Sequence, residues 1–206
     1  MFNLEILKTT AILVVFALVG TGLVAFSYEK TKERIKYNEQ QALLRDLNDL
    51  IPKALYDNEL TKDTIEIVNI GQLGSRDPVT IYRARKQQQP VAIAFKPIAN
   101  DGYSGAIQLL VAIRYDGSLL GVRIVSHKET PGLGDKIHQK RGDWIHSFKD
   151  KSLTNPDWKQ WSVKRDGGDF DQFTGATISP RAVVNAVKRS LEFYQVHYQR
   201  LFQPQS

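Results

Sequence analysis

The stretch IQLLVAIRYDGSLLGVRIV, Ile107 to Val125, decides the fold class. Ile107, Leu109, Val111, Ile113 and Tyr115 are apolar at strict period two, the spacing that sets alternate side chains on one face of a strand. Asp116 and Gly117 then supply the favoured chemistry of a two-residue turn, and LLGVRIV reads as the returning strand of a hairpin. Upstream, TIEIVNI from Thr64, VTIYRARK from Val79 and PVAIAFKP from Pro90 alternate in the same way. Downstream, Val183, Val187, Leu191 and Tyr194 recur at spacings of four, four and three, the period of an amphipathic helix. Strands closed by one helix, without internal repeats or low-complexity tracts, predict a single α+β domain over residues 53–206.

In front of that domain the chain has another character. After a short tail, residues 1–8, the run TTAILVVFALVGTGLVAFS from Thr9 to Ser27 carries no charge and is bounded by Lys8, Glu29 and Lys30. At about 1.5 Å per residue it is long enough to cross about 30 Å of hydrocarbon as a helix. A cleaved signal peptide is the alternative. The thin basic region before the run, its length and the lack of an A-x-A pattern after it favour an uncleaved anchor over residues 9–27. Ile35, Leu43, Leu47 and Leu50 then continue at near-helical spacing until Pro52, predicting a juxtamembrane helix over residues 28–52 that packs on the following domain.

Composition removes several chemistries. With 28 basic against 22 acidic side chains the net charge is +6, and no run of five or six basic residues argues for a nucleic-acid partner. The absence of cysteine excludes disulfides, thiolate-held iron–sulfur clusters and thiol catalysis. His127, His138, His146 and His197 show no metal-ligand spacing, so no metal site is expected.

Two loops remain as candidates for chemistry. HKETPGLGDKIHQK, from His127 to Lys140, contains a turn built on Pro131, Gly132 and Gly134 that opens peptide groups to a close ligand. As a mere strand-to-helix connection it would need no ligand, and it lacks the GxGxxG spacing of a dinucleotide fold. SVKRDGGDFDQFTGATIS leads into the terminal helix, with Ser179 as the expected N-cap and Pro180 at the first helical position. Thr177 then stands on a small-residue turn near unpaired N–H groups, a place suited to an anion. A capped helix start explains Ser179 and Pro180, but not Thr174, Gly175, Ala176 and Thr177 together.

DQFTGATIS resembles the D-x-x-S/T-G-A-T-x-S/T signature of the domain family in which flavin mononucleotide (FMN) is attached to threonine by a phosphoester bond; Asp171, Thr174, Gly175, Ala176, Thr177 and Ser179 all fit it. HKETPGLGD resembles that family's second motif, and the order of anchor, helix, strands, ETPGLG loop, attachment loop and terminal helix matches. Within the family the chain is most similar, over essentially its full length, to the G subunits of Rnf-type (Rsx) ion-translocating electron-transport complexes. The C subunits of sodium-translocating NADH:quinone oxidoreductases, usually longer, come next.

The resemblance implies covalent FMN on Thr177, placed there by a separate FAD-dependent flavin transferase that uses magnesium. It implies an isoalloxazine ring near Glu129, Thr130, Leu133 and Gly134, with Lys164 facing the phosphate or the anionic ring edge and His127 bordering the site. It implies partners among the other membrane and peripheral subunits of the complex, with no catalytic residue of the chain's own. A membrane-tethered flavin reductase, and a phosphate- or lipid-binding module that leaves Thr177 unmodified, are the alternatives from other classes. Orientation divides two arguments. Lys30, Lys32, Arg34 and Lys36 follow the anchor and point the domain to the cytoplasm by the positive-inside bias. The family places it on the periplasmic side of the bacterial inner membrane, which suits a chain without cysteine, since long domains cross largely regardless of charge.

Overall fold

The computed structural model describes residues 4–68 and 71–203. Residues 1–3 of the expected tail, and Asn69 and Ile70 of the expected first strand, lie outside the described residues. The chain divides into two compact units, residues 1–43 and 44–206.

The first unit is the greater part of one uninterrupted helix, α1 (Leu4–Leu50), which covers both the expected anchor and the expected juxtamembrane segment. Its apolar run shows no buried side: Ile12, Phe16, Leu18 and Leu23 are all exposed. A run that is apolar on every side of a helix suits a hydrocarbon solvent, and α1 is long and apolar enough to cross a membrane. Ile35, expected to pack, is 48% exposed.

The second unit is an antiparallel sheet with a helix on one face. Its strands are β1 (Thr64–Ile67), β2 (Val79–Lys86), β3 (Gln89–Phe95), β4 (Ile98–Ala99), β5 (Ile107–Arg114) and β6 (Leu119–Ser126). β1, β2, β3, β5 and β6 pair in that spatial order. Pro97 interrupts the strand before β5, so β3 and the short β4 share one edge of β5, which the sequence reading takes as one run ending at Pro97. The other expected strands lie where their alternation puts them.

The predicted face of β5 is buried throughout: Ile107, Leu109, Val111 and Ile113 have no exposure. They pack in one core with Val183, Val187, Leu191 and Tyr194 of α2 (Ile178–Leu201). Leu110 and Ala112, on the reverse face, are buried as well. On that side the end of α1 belongs to the domain. Leu47 and Leu50 are buried, and a Cβ placed on Gly121 would stand 2.9 Å from Leu50 Cδ2. Asp49 adds an ion pair to Arg123 at 3.0 Å.

The hairpin differs from expectation. Gly117 N–H donates to Arg114 C=O at 3.0 Å, Arg114 N–H donates to Ser118 C=O at 2.8 Å, and Gly117 has φ +88°. This is a three-residue loop closed by a glycine in the left-handed region, not a two-residue turn. Tyr115, counted as the fifth strand residue, therefore sits in the turn and is half exposed.

Between β6 and α2 the chain forms short 3₁₀ turns and loops around stacked aromatic rings. Phe148 lies 4.8 Å from Phe170, and Trp161 4.9 Å from Phe170. Trp144 packs 5.4 Å from Phe173, and its indole N–H donates to Asp171 C=O at 2.8 Å. The aromatic cluster fixes both ends of the 171–173 segment that leads to Thr177.

Candidate functional site

Two tight turns face each other at the start of α2. In the first, Leu133 N–H donates to Thr130 C=O at 3.1 Å, with Pro131 and Gly132 (φ +79°) at the central positions. In the second, Ala176 N–H donates to Phe173 C=O at 3.0 Å, with Thr174 and Gly175 (φ +79°) between. Each needs its glycine, because the third position of such a turn takes positive φ. They approach closely, since a Cβ on Gly175 would stand 3.8 Å from Leu133 Cδ2.

The turns enclose a cleft of about 200 Å³ lined by Glu129, Thr130, Leu133, Gly134, Gly175, Ala176, Thr177 and Ser179, together with Tyr103 and Ile178. Eight of the residues singled out from sequence thus come together from segments more than forty positions apart. A larger hollow of about 350 Å³ lies elsewhere, beside Tyr115, Leu191, Tyr194 and Tyr198. There the Tyr194 hydroxyl donates to Tyr115 C=O at 2.9 Å, and burial pushes its phenol well above the usual range. Neither motif reaches that hollow.

Glu129 holds the cleft together. Its side chain is buried, Oε2 accepts from Ser179 Oγ at 2.6 Å and Oε1 accepts from Ser104 N–H at 3.1 Å. One carboxyl thus joins the 102–105 turn, its own loop and the first turn of α2. The closeness leaves no room for side chains at two glycines. A Cβ on Gly134 would meet Ser179 Oγ at 2.5 Å and Glu129 Oε2 at 2.7 Å, and one on Gly102 would meet Gly105 C=O at 2.3 Å.

Ser179 is therefore not the N-cap. α2 begins at Ile178, so Ser179 and Pro180 both lie in the first turn, and the cap position falls to Thr177. Threonine at a cap ordinarily turns its hydroxyl onto the helix N–H groups from an extended backbone. Here Thr177 has φ −81° and ψ −28°, and its hydroxyl makes no capping bond. The side chain is left available at the positive end of the helix. Pro180 still costs the helix nothing, because the first N–H groups have no intrahelical partner.

Four expected residues do not line the cleft. Thr174 is exposed on the outside of its turn. Asp171 and Lys164 pair with each other at 2.6 Å, a contact that holds the Lys164 ammonium above its ordinary range. His127 lies behind the loop, where its Nδ1 accepts from Glu129 N–H at 3.1 Å. Conversely, sequence reading misses Tyr103 and Ile178, which are 69% and 42% exposed at the cleft. The signal for Tyr103 is an aromatic residue between Gly102 and Gly105, directly before a strand. Ile178 is hidden by the shifted helix start.

Comparison with known proteins agrees with this geometry. The FMN-binding domain family matches residues 102–192, and the RnfG N-terminal region matches residues 1–50. The G subunit of the ion-translocating oxidoreductase complex of Shewanella oneidensis is 47% identical over 200 residues, covering 97% of this chain and 94% of that protein. The corresponding G subunit of Vibrio cholerae is 48% identical over 194 residues (94% and 92%), and that of Pseudoalteromonas atlantica 45% over 197 (96% and 92%). With the N-terminal match, these decide between the two kinds of complex that the motifs alone left open. The chain belongs to the family of G subunits of ion-translocating oxidoreductase complexes, and the part that carries β5, β6, both turns and most of α2 matches the FMN-binding domain.

Proposed function

We propose that this chain is a membrane-anchored electron carrier that holds FMN as a phosphoester of Thr177 and passes electrons between other subunits of an ion-translocating oxidoreductase complex. The observation that carries this reading is Thr177 itself: a cap-position threonine whose hydroxyl is unused by the helix, lining a cleft made by both motifs. FMN, once bound, supplies the redox chemistry. The protein's part is to hold, orient and shield it.

The residues present fit that group. The orphan N–H groups of the first turn of α2 suit a phosphodiester, a contribution of about 0.3 to 1 kcal/mol. Leu133, Tyr103 and Ile178 offer apolar and aromatic surface to a planar ring. Attachment forms a bond from the Thr177 oxygen to the phosphorus of FAD that bears the flavin and breaks the pyrophosphate link, so adenosine monophosphate leaves. The hydroxyl proton needs a base. Among the described residues, Glu129 is the only carboxyl in the lining and already accepts two hydrogen bonds, and no histidine or lysine lines the cleft. The base therefore belongs to the separate FAD-dependent transferase, as suits an acceptor residue.

Mass spectrometry of the full chain produced with and without that transferase tests the reading. The expected result is one added FMN on the peptide containing Thr177, only when the transferase is present. Unmodified protein under both conditions would sink it.

The same reading puts the domain on the periplasmic side of the inner membrane, against the bias of Lys30, Lys32, Arg34 and Lys36. Export of long domains largely regardless of charge supports it. A reporter active only outside the cytoplasm, fused after Pro52, should be active; an inactive reporter would reverse the orientation.

A further inference from the structure

The loop that forms one wall of the cleft sorts its charges by side. Residues 127–141 read HKETPGLGDKIHQKR. Both acidic side chains of this segment, Glu129 and Asp135, are buried. Glu129 is occupied as described, and Asp135 Oδ2 forms an ion pair with Arg141 Nε at 3.1 Å. All four basic side chains, Lys128, Lys136, Lys140 and Arg141, are exposed. Among the described residues, Lys128, Lys136 and Lys140 have no ion pair. The outer side of this loop is therefore cationic without compensation.

This side is also concave and firmly held. A hollow of about 450 Å³ is lined by His127, Glu129, Pro131, Asp135, His138, Lys140 and Arg141, with Asp135 already paired to Arg141. Between His138 and Lys140, Gln139 ties the loop to β6: its Oε1 accepts from Ile124 N–H at 3.2 Å and its Nε2 donates to Ile124 C=O at 3.3 Å. Both imidazoles are held in one tautomer. His127 Nδ1 accepts from Glu129 N–H and His138 Nδ1 from Lys140 N–H, each at 3.1 Å, which leaves Nε2–H as the donor on each ring. Burial, with the cations around it, holds His138 below the ordinary histidine range, so it is neutral near pH 7. No three His, Asp or Glu groups among the described residues are disposed to hold a metal. Two imidazole N–H donors, an ammonium and a guanidinium around one hollow suit a carboxylate.

We infer that the outer face of the 127–141 loop is a docking surface for an acidic face of a redox partner protein, with the hollow at His127, His138, Lys140 and Arg141 receiving a partner carboxylate. This rests on the electron-carrier reading above. Glu129 lines both this hollow and the cleft, so a partner seated here stands on the other side of a single loop from the flavin site. A carrier needs fast encounter and fast release, and complementary exposed charge provides both by raising the association rate without burying a large apolar area.

The test uses the full chain returned to membranes whose complex lacks only this subunit, with the rate of electron transfer through its flavin followed at varied salt. Replacing Lys128, Lys136 and Lys140 together by glutamate should lower that rate roughly ten- to a hundred-fold at low salt. Wild type and variant should converge near 1 M salt, where the screening length falls to about 3 Å. A control carrying Lys62→Glu, Arg76→Glu and Lys159→Glu makes the same change of net charge elsewhere and should stay near wild type. Equal slowing in the control, or an unchanged rate in the loop variant, would overturn the proposal. Repeating the assay in phosphatidylcholine and in phosphatidylglycerol bilayers separates the other anion source: an effect present only with the anionic lipid assigns the patch to headgroups and also overturns it. Flavin fluorescence of each denatured band is read in parallel. A wild-type band without flavin would count against the attachment reading, whereas a flavin-bearing variant with wild-type rates counts against the docking surface alone.

Discussion

Thr177→Ala should abolish covalent flavin while leaving the domain folded. The backbone at Thr177, with φ −81° and ψ −28°, is one that alanine adopts without strain, and the hydroxyl makes no capping bond for the substitution to break. Stability is therefore expected to stay within about 0.5 kcal/mol of wild type. Loss of the only proposed acceptor oxygen, by contrast, is complete rather than graded. Ultraviolet fluorescence of the protein band after denaturing electrophoresis reads the bond directly, and tryptophan emission reports folding, because Trp161 is buried in the aromatic cluster below the loop. A variant band as bright as wild type would move the attachment to Thr174, the neighbouring hydroxyl on the outer side of the same turn.

Much of this site is legible in the sequence because its signals are local. Alternation in β5 and the spacing of Val183, Val187 and Leu191 reflect periodicities of the backbone itself, so the face of the sheet and the face of α2 that meet can be named from sequence. The glycines of TPGL and FTGA mark turns whose conformation they alone permit cheaply, and both turns are present. What fails depends on distant partners. Ser179 and Pro180 spell a helix cap by local rules, yet the Ser179 hydroxyl is drawn fifty positions back to Glu129, and the cap moves to Thr177. Lys164 is expected at the flavin; in the structure it pairs with Asp171, and neither lines the cleft. The two-residue turn at Asp116 and Gly117 becomes a three-residue loop because the glycine takes the position after the turn. None of these outcomes has a sequence period to betray it.

The larger test of the cleft's construction is Glu129. Replacing it by alanine removes the acceptor for Ser104 N–H and for Ser179 Oγ, and leaves both donors facing a small buried void. An unsatisfied buried group costs about 1 to 3 kcal/mol, so Glu129→Ala should lower unfolding stability by about 2 to 5 kcal/mol. Glu129→Gln should cost far less. Its amide oxygen can still accept from Ser104 N–H, and its NH₂ can donate to the Ser179 hydroxyl, which rotates to become the acceptor. Denaturant unfolding of the full chain, followed by tryptophan emission, measures both. A cycle with Ser179→Ala then isolates the tie: once Glu129 is alanine, removing the serine hydroxyl should cost little more, because the bond it made is already gone. Strictly additive losses, or a Glu129→Ala cost below about 1 kcal/mol, would mean that the ETPGLG loop and the first turn of α2 are held together by something other than this carboxyl. The expected non-additivity instead makes Glu129 a structural residue of the cleft, acting through the positions of Ser179 and the 102–105 turn.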